Sequence, residues 1–190
     1  MSVIDAIKKR RSNGMIEQRE VPRELIEKLL DAAVCTPVHY NTSPWRFQVL
    51  TGEARNRLGK YMAQCFVENQ ADPEAPAVQA KIPVIEKKAL RAPVIIVVAA
   101  AKSDDPRAIV EEDVASATVS CQNILLAAEE LGLACIWRTG AFTYGDRMRE
   151  LLGFDEGTRL TGFMYLGYPK KQPPQVERPT SDEFTQWLDK

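Results

Sequence analysis

Three groups of residues in this 190-residue sequence have types and spacings that do chemistry. The first is Arg10-Arg11-Ser12. Two guanidinium forks beside a hydroxyl match the charge and donor geometry of a phosphate monoester; the same residues also suit a solvated basic helix end that complements the negative pole of the helix dipole. The second is the run Thr36-Pro37-Val38-His39-Tyr40-Asn41-Thr42-Ser43-Pro44-Trp45, which crowds donors and acceptors into a loop between a helix and a strand, where ligand contacts concentrate. Asn41 there can bond the edge of a heterocycle, and His39 a ring carbonyl or a phosphate; the alternatives are a local turn cap for Asn41 and a surface imidazole for His39. The third is Trp137-Arg138-Thr139-Gly140, a strand running into a glycine turn, which would set amides, a hydroxyl and a cation around a flat ligand. Trp137 also reads as core. Arg138 follows an apolar strand, and burial without an anionic partner would be costly.

The elements that must hold these groups can be read from periodicity and caps. Ser2 caps a helix running to about Arg11, its hydroxyl accepting a first-turn amide while Asp5 suits the positive end of the dipole. Pro22 opens a second helix, with Leu25, Ile26, Leu29, Leu30 and Ala33 on one face. After the Cys35 to Pro44 loop, Trp45, Phe47 and Val49 alternate with Arg46 and Gln48 as in a half-buried strand. A third helix follows Thr51-Gly52, and the proline-rich stretch Ala71 to Pro83 reads as a mobile surface excursion or lid. Pro93 to Ala101 is a continuous apolar run, expected as a central strand buried on both faces. Ile109 to Leu131 is the longest helix, with Val114, Ala117, Cys121, Ile124, Leu125 and Ala128 on one side and a stop at Gly132. A short strand over Leu133 to Trp137, a helix from Asp146 to Leu152 and a strand over Leu160 to Leu166 complete an α+β class. The proline-rich tail from Pro169 to Pro179 precedes a capping-box pattern at Thr180-Ser181-Asp182-Glu183. Phe184, Trp187 and Leu188 beyond it are exposed unless something covers them, which suggests an arm wrapped around a partner subunit.

Composition narrows the partners. The length fits one domain over residues 1–190, with 169–190 as its C-terminal arm. Lysine plus arginine number 25 against 26 aspartates and glutamates, so no single-sign field draws in nucleic acid or an anionic membrane, and a small ligand is the expected partner. The N-terminus lacks the basic and apolar regions of a signal peptide and no apolar run reaches spanning length, so the expectation is a cytoplasmic protein. Cys35, Cys65, Cys121 and Cys135 form no C-x-x-C pair and His39 is the single histidine, which leaves little for a zinc site and points to reduced, structural thiols. No G-x-G-x-x-G follows a strand and no G-x-x-x-x-G-K occurs, so a nucleotide would be held in some other way.

Together and in order, the three groups resemble the nitroreductase family, and within it the short YdjA-like subgroup. Arg10-Arg11-Ser12 resembles the family's RRS phosphate signature, TPVHYNTSPWRF its APSxxNxQPWxF segment, IWRTGAFT the subgroup's IWRSGALT, and GFMYLGYP the last strand. The likeness runs from about Ile4 to Pro169. Val38 and Ser43 depart from the family's serine and glutamine, Arg178 is the lone basic candidate near the C-terminus, and Asn13-Gly14-Met15 replaces the usual x-R-x-F.

The resemblance implies a central, mostly antiparallel sheet flanked by helices, in an intertwined homodimer with exchanged C-terminal arms. It implies FMN as cofactor, with Arg10, Arg11, Ser12, Cys35, His39, Asn41, Trp137, Arg138, Thr139 and Arg178 around it and His39 coming from the second subunit. NADH or NADPH is the implied electron donor, bordered by Ala127, Ala128, Glu129, Glu130, Leu131 and Gly132, although periodicity alone makes Ala127, Ala128 and Leu131 helix packing. No protein side chain acts as a nucleophile; the flavin passes hydride in ping-pong fashion to a nitroaromatic, quinone or similar small oxidant. Alternatives are a dehalogenase or enone reductase on the same scaffold, oxygen-dependent flavin breakdown, a flavin-storage protein, or a flavin-free interaction module.

Overall fold

The computed structural model describes residues 2–174 and 176–188; Met1, Gln175, Asp189 and Lys190, the last two at the end of the expected arm, lie outside the described residues. Its helices are α1 (Val3–Lys9), α2 (Arg23–Ala33), α3 (Gly52–Glu68), α4 (Pro76–Gln79), α5 (Ile82–Glu86), α6 (Val110–Glu130) and α7 (Asp146–Leu151). The strands β1 (Trp45–Leu50), β2 (Val94–Ala100), β3 (Ala134–Arg138) and β4 (Arg159–Gly167) form one antiparallel sheet in the order β1-β2-β4-β3. Short 3-10 turns occupy His39–Asn41, Lys87–Leu90 and Ser181–Phe184. No helix among the described residues is long and apolar enough to cross a membrane.

β2 is buried along its whole length, and its alternation divides the core. Ile95, Val97 and Ala99 face a cluster with Leu58, Met62, Ile85 and Phe163 under α3 and α5; Val94, Ile96 and Val98 face Leu29, Ala33, Cys121 and Ile124 under α2 and α6. A strand buried on both faces needs an unbroken apolar run, and that is what its sequence supplies.

The β2–β4 register slips between Val98 and Ala99, leaving Thr161 as an extra residue on β4. This bulge positions a site strand. Thr161 Oγ1 donates to the Val98 carbonyl at 3.0 Å, and the Thr161 carbonyl accepts from Trp137 Nε1 on β3 at 3.0 Å. Gly162 follows with φ 156°, and a β-carbon there would overlap the Trp137 indole. The indole therefore packs directly against the bulge.

One sequence expectation is corrected. Helix α1 stops at Lys9 rather than about Arg11, because Arg10 turns to ψ 133° and Arg11 Nη1 takes up the freed carbonyls of Lys8, Lys9 and Arg10 at 2.7, 3.0 and 2.9 Å. The Ala71 to Pro83 excursion is largely exposed and carries short helices, Pro76 and Pro83 sitting in the first turns of α4 and α5. From Ile82 onward the chain packs into the core, with Ile85 buried against α3.

That packing depends on Gly59, whose β-carbon would overlap the Glu86 carbonyl. Alanine in a helix interior normally stabilises by about 1 kcal/mol relative to glycine. Here the overlap wins: Gly59→Ala is expected to lower unfolding free energy by about 1–3 kcal/mol, read from urea denaturation midpoints.

Candidate functional site

The arginine group sits where α1 ends. The helix begins with a reciprocal capping box, Ser2 Oγ accepting from the Asp5 amide at 3.1 Å and the Asp5 carboxylate accepting from the Ser2 amide at 3.3 Å. That cap fixes which residues reach the other end. Arg178 returns from the C-terminal segment and donates from Nη2 to the Arg10 carbonyl at 3.2 Å. Arg10 thus has Arg11 and Arg178 as cationic neighbours, and burial, then Arg178, then Arg11 push its pKa down, opposed by Glu129. Arg10 Nη1 and Arg11 Nε are buried and have no hydrogen-bond partner among the described residues. Crowded guanidinium groups with unmet buried N–H donors are unfavourable in isolation, and an anion bound among them would satisfy both the charge and the donors.

Asn13, which sequence reasoning treated only as a departure from a pattern, pins this group in place. Its amide donates to the Cys135 carbonyl on β3 at 3.1 Å, its Nδ2 donates to the Lys171 carbonyl at 2.9 Å, and its Oδ1 accepts from the Met15 amide at 2.9 Å. An asparagine before glycine is a turn signal, but nothing local reveals the two remote carbonyls. Gly14 then passes so close to Arg138 that a β-carbon would lie 3.3 Å from Nη2. The missing side chain makes room for the guanidinium.

Arg138 itself is half-buried, its charge centre 5.6 Å from the Tyr165 ring centroid, and its Nε is buried without a partner among the described residues. Burial raises the Tyr165 phenol to about 12 even with the Arg138 and Arg91 charges acting against it. Trp137, by contrast, is committed to the core through its bond to Thr161. Thr139 and Gly140 are exposed beside Arg138.

The second group lies on the opposite end of α6. Trp45 Nε1 donates to Thr36 Oγ1 at 2.9 Å, Thr36 lies 3.2 Å from Ser116 Oγ, and Ser116 donates to the Pro37 carbonyl at 2.8 Å. His39 Nδ1 meets Glu112 Oε2 at 2.5 Å, and Thr42 donates to the buried Asp113 at 2.5 Å. Cys35 is exposed, its thiol donating to the Asp31 carbonyl at 3.2 Å. Tyr40, Asn41 and Ser43 have φ of 52, 52 and 46°, a left-handed region that costs a non-glycine residue on the order of 1–2 kcal/mol. Asn41 is exposed.

Along α6 the loop touches Glu112, Asp113 and Ser116, whereas the arginine group meets Glu129, paired with Lys9 at 3.7 Å. At 1.5 Å rise per residue the two ends are about 20–25 Å apart. One copy of the chain therefore brings Arg10, Arg11, Ser12, Arg138 and Arg178 to one end and His39 and Asn41 to the other, with Cys35 between them, its carbonyl accepting from Asn123 Nδ2 at 3.2 Å.

The segment from Ala127 to Gly132 is a helix end. Leu133 donates to the Ala128 carbonyl at 2.8 Å and Gly132, at φ 69°, to that of Glu129 at 3.3 Å, the Schellman pattern. Ala128 is buried and Ala127 and Leu131, partly buried, pack on the same core, as helix periodicity alone implies. Glu129 and Gly132 do reach a groove of about 790 Å³ that Lys8, Lys9, Arg11 and Pro173 also line. Glu130 is exposed.

Residues 7–168 match the model of the Nitroreductase family. Escherichia coli YdjA, which bears an NAD(P)H nitroreductase name, is 29% identical over 189 residues, spanning 99% of this chain and 100% of that protein. A nitroreductase-like family protein from Bacillus cereus superposes with a TM-score of 0.86 at 28% identity, covering 100% of this chain and 97% of that one. A nitroreductase from Desulfovibrio desulfuricans, solved in complex with FMN, shares the fold with a TM-score of 0.71 at 21% identity over 99% of this chain and 98% of its own.

The arginine group yields a direct expectation. If a flavin phosphate is the anion that the group takes, Arg10→Ala should weaken FMN binding by about 1.5–3 kcal/mol, roughly ten- to a hundredfold in equilibrium dialysis. Equal flavin occupancy in the variant would remove Arg10 from the site.

Proposed function

The chain belongs to the nitroreductase family, and from that premise we propose that it is an FMN-dependent NAD(P)H oxidoreductase that builds its flavin site from two copies of itself. The observation that carries the reading is the Arg10, Arg11 and Arg178 group, with buried N–H donors on Arg10 and Arg11 unpaired among the described residues. A phosphate monoester fits that donor set. It brings close to two negative charges to neighbouring cations and accepts several N–H bonds at once.

In this reading Arg10, Arg11, Ser12 and Arg178 hold the phosphate. Arg138, whose Nε also lacks a partner, and the exposed Thr139 and Gly140 border the ring. A fixed cation near the pyrimidine edge favours negative charge there and so favours the reduced cofactor. FMN held there would supply hydride chemistry between NADH or NADPH and a small oxidant such as a nitroaromatic or quinone. The chain's own task is to bind, orient and exclude, and no nucleophilic side chain enters the scheme.

The homodimer follows from the separation along α6. His39 and Asn41 lie too far from the arginine group of their own chain to share a compact ligand, so in this reading a second copy contributes them. The arm supports the same arrangement: its last turn is capped by Thr180 and Glu183, yet Phe184, Trp187 and Leu188 are 75, 85 and 81% exposed. Apolar surface of that size on a projecting segment calls for a covering partner.

Two measurements test this. Under anaerobic conditions the yellow FMN-loaded protein should bleach on addition of NADH or NADPH and recover its colour with a nitroaromatic or quinone; a yellow protein that neither nicotinamide bleaches would make it a flavin store. Truncation before Thr180 should shift sedimentation toward monomer at micromolar concentration. An unaltered profile would refute the arm's role.

A further inference from the structure

The loop that presents His39 is kept in a conformation its residues disfavour, and the first turn of α6 keeps it there. Glu112 and Asp113 are consecutive, and each takes one loop side chain: Glu112 the His39 Nδ1 and Asp113 the Thr42 hydroxyl. They are not equivalent. Asp113 is buried, and with Ser116 and Thr36 it clips the loop through the Thr42 and Pro37 contacts. The Glu112 and His39 side chains are 42 and 54% exposed, and an exposed pair of this kind adds little to stability.

The consequence of the Glu112 contact falls on the imidazole. A carboxylate accepts only, so Nδ1 must carry the proton it shares, and the neutral ring becomes a single tautomer with its free lone pair on Nε2. Nε2 lies across the ring from Nδ1 and has no partner among the described residues. Rotation of the ring is restricted as well. His39 stacks on Tyr40 with centroids 4.0 Å apart, and the Arg107 guanidinium covers the Tyr40 ring at 4.5 Å.

We propose that Glu112 is a positioning residue: by holding Nδ1 it fixes the tautomer and orientation of His39, so that Nε2 is turned away from α6 toward the ligand held by a second copy. This rests on the reading that His39 reaches the flavin across the dimer. Its logic is that of an outer carboxylate orienting a ligating histidine, applied to an organic ligand.

His39 is the sole histidine, so its ring nitrogens can be observed without overlap. In long-range proton–nitrogen spectra of the chain without flavin, with the imidazole neutral, the expected form has a protonated Nδ1 and a bare Nε2. Glu112→Gln, which keeps an acceptor oxygen, should retain that form, and Glu112→Ala should move the population toward protonated Nε2. FMN should bind the Glu112→Ala protein about three- to tenfold more weakly. Adding Glu112→Ala to His39→Ala should cost nothing more, because the loss runs through the imidazole. An unchanged tautomer in Glu112→Ala, or an equal loss of FMN affinity in the His39→Ala background, overturns the proposal. If the wild-type chain took up no FMN, the flavin reading would fall, and the tautomer spectra alone would then decide whether Glu112 orients His39.

Discussion

Asn13 is the joint on which the arginine site depends. One side chain and one amide tie the segment after α1 to the Cys135 carbonyl on β3 and to the Lys171 carbonyl beyond β4. Three parts of the chain that are remote in sequence thereby meet: the end of α1 with Arg10 and Arg11, the strand with Arg138, and the C-terminal segment that carries Arg178. A buried asparagine has several donors and acceptors to satisfy, and a segment pinned at both its backbone and its side chain cannot slide. Gly14 completes the joint by leaving room for the Arg138 guanidinium.

The joint concentrates like charge. Arg10 is partly desolvated and faces two other guanidinium groups, and the one carboxylate acting on it, Glu129, also pairs with Lys9. Such an arrangement is a cost to the empty fold and a source of affinity for an anion, the usual exchange between stability and function at a binding site. The histidine loop shows the same exchange in backbone form. Three left-handed non-glycine residues stand in a row of four, and carboxylates and a hydroxyl from α6 hold them. Helix α6 is thus the beam of the molecule, with its first turn gripping one half-site and its last turn abutting the other.

Much of the scaffold was legible in the sequence because its signals are local. The unbroken apolar run of β2 announced a strand buried on both faces, the glycine after Leu131 marked the end of α6, and the capping boxes at Ser2 and Thr180 marked the first turns they begin. Where local signals mislead, the errors have a physical cause. Arg10 and Arg11 read as the last turn of α1, although the helix stops at Lys9 and the Arg11 guanidinium takes up the freed carbonyls.

By itself, then, the sequence determined the α+β class, the positions of the strands and major helices, and the residue types able to hold a phosphate and a flat ring. Only the tertiary structure decided that Arg178 joins Arg10, that Asn13 fixes them both, that Glu112 takes His39, and that the loop and the arginines lie at opposite ends of α6. The reason is the range of the forces. Periodicity and capping act within a turn or two of the chain, whereas a buried amide or guanidinium selects partners by what the packed core brings within 3 Å or so, at any sequence separation.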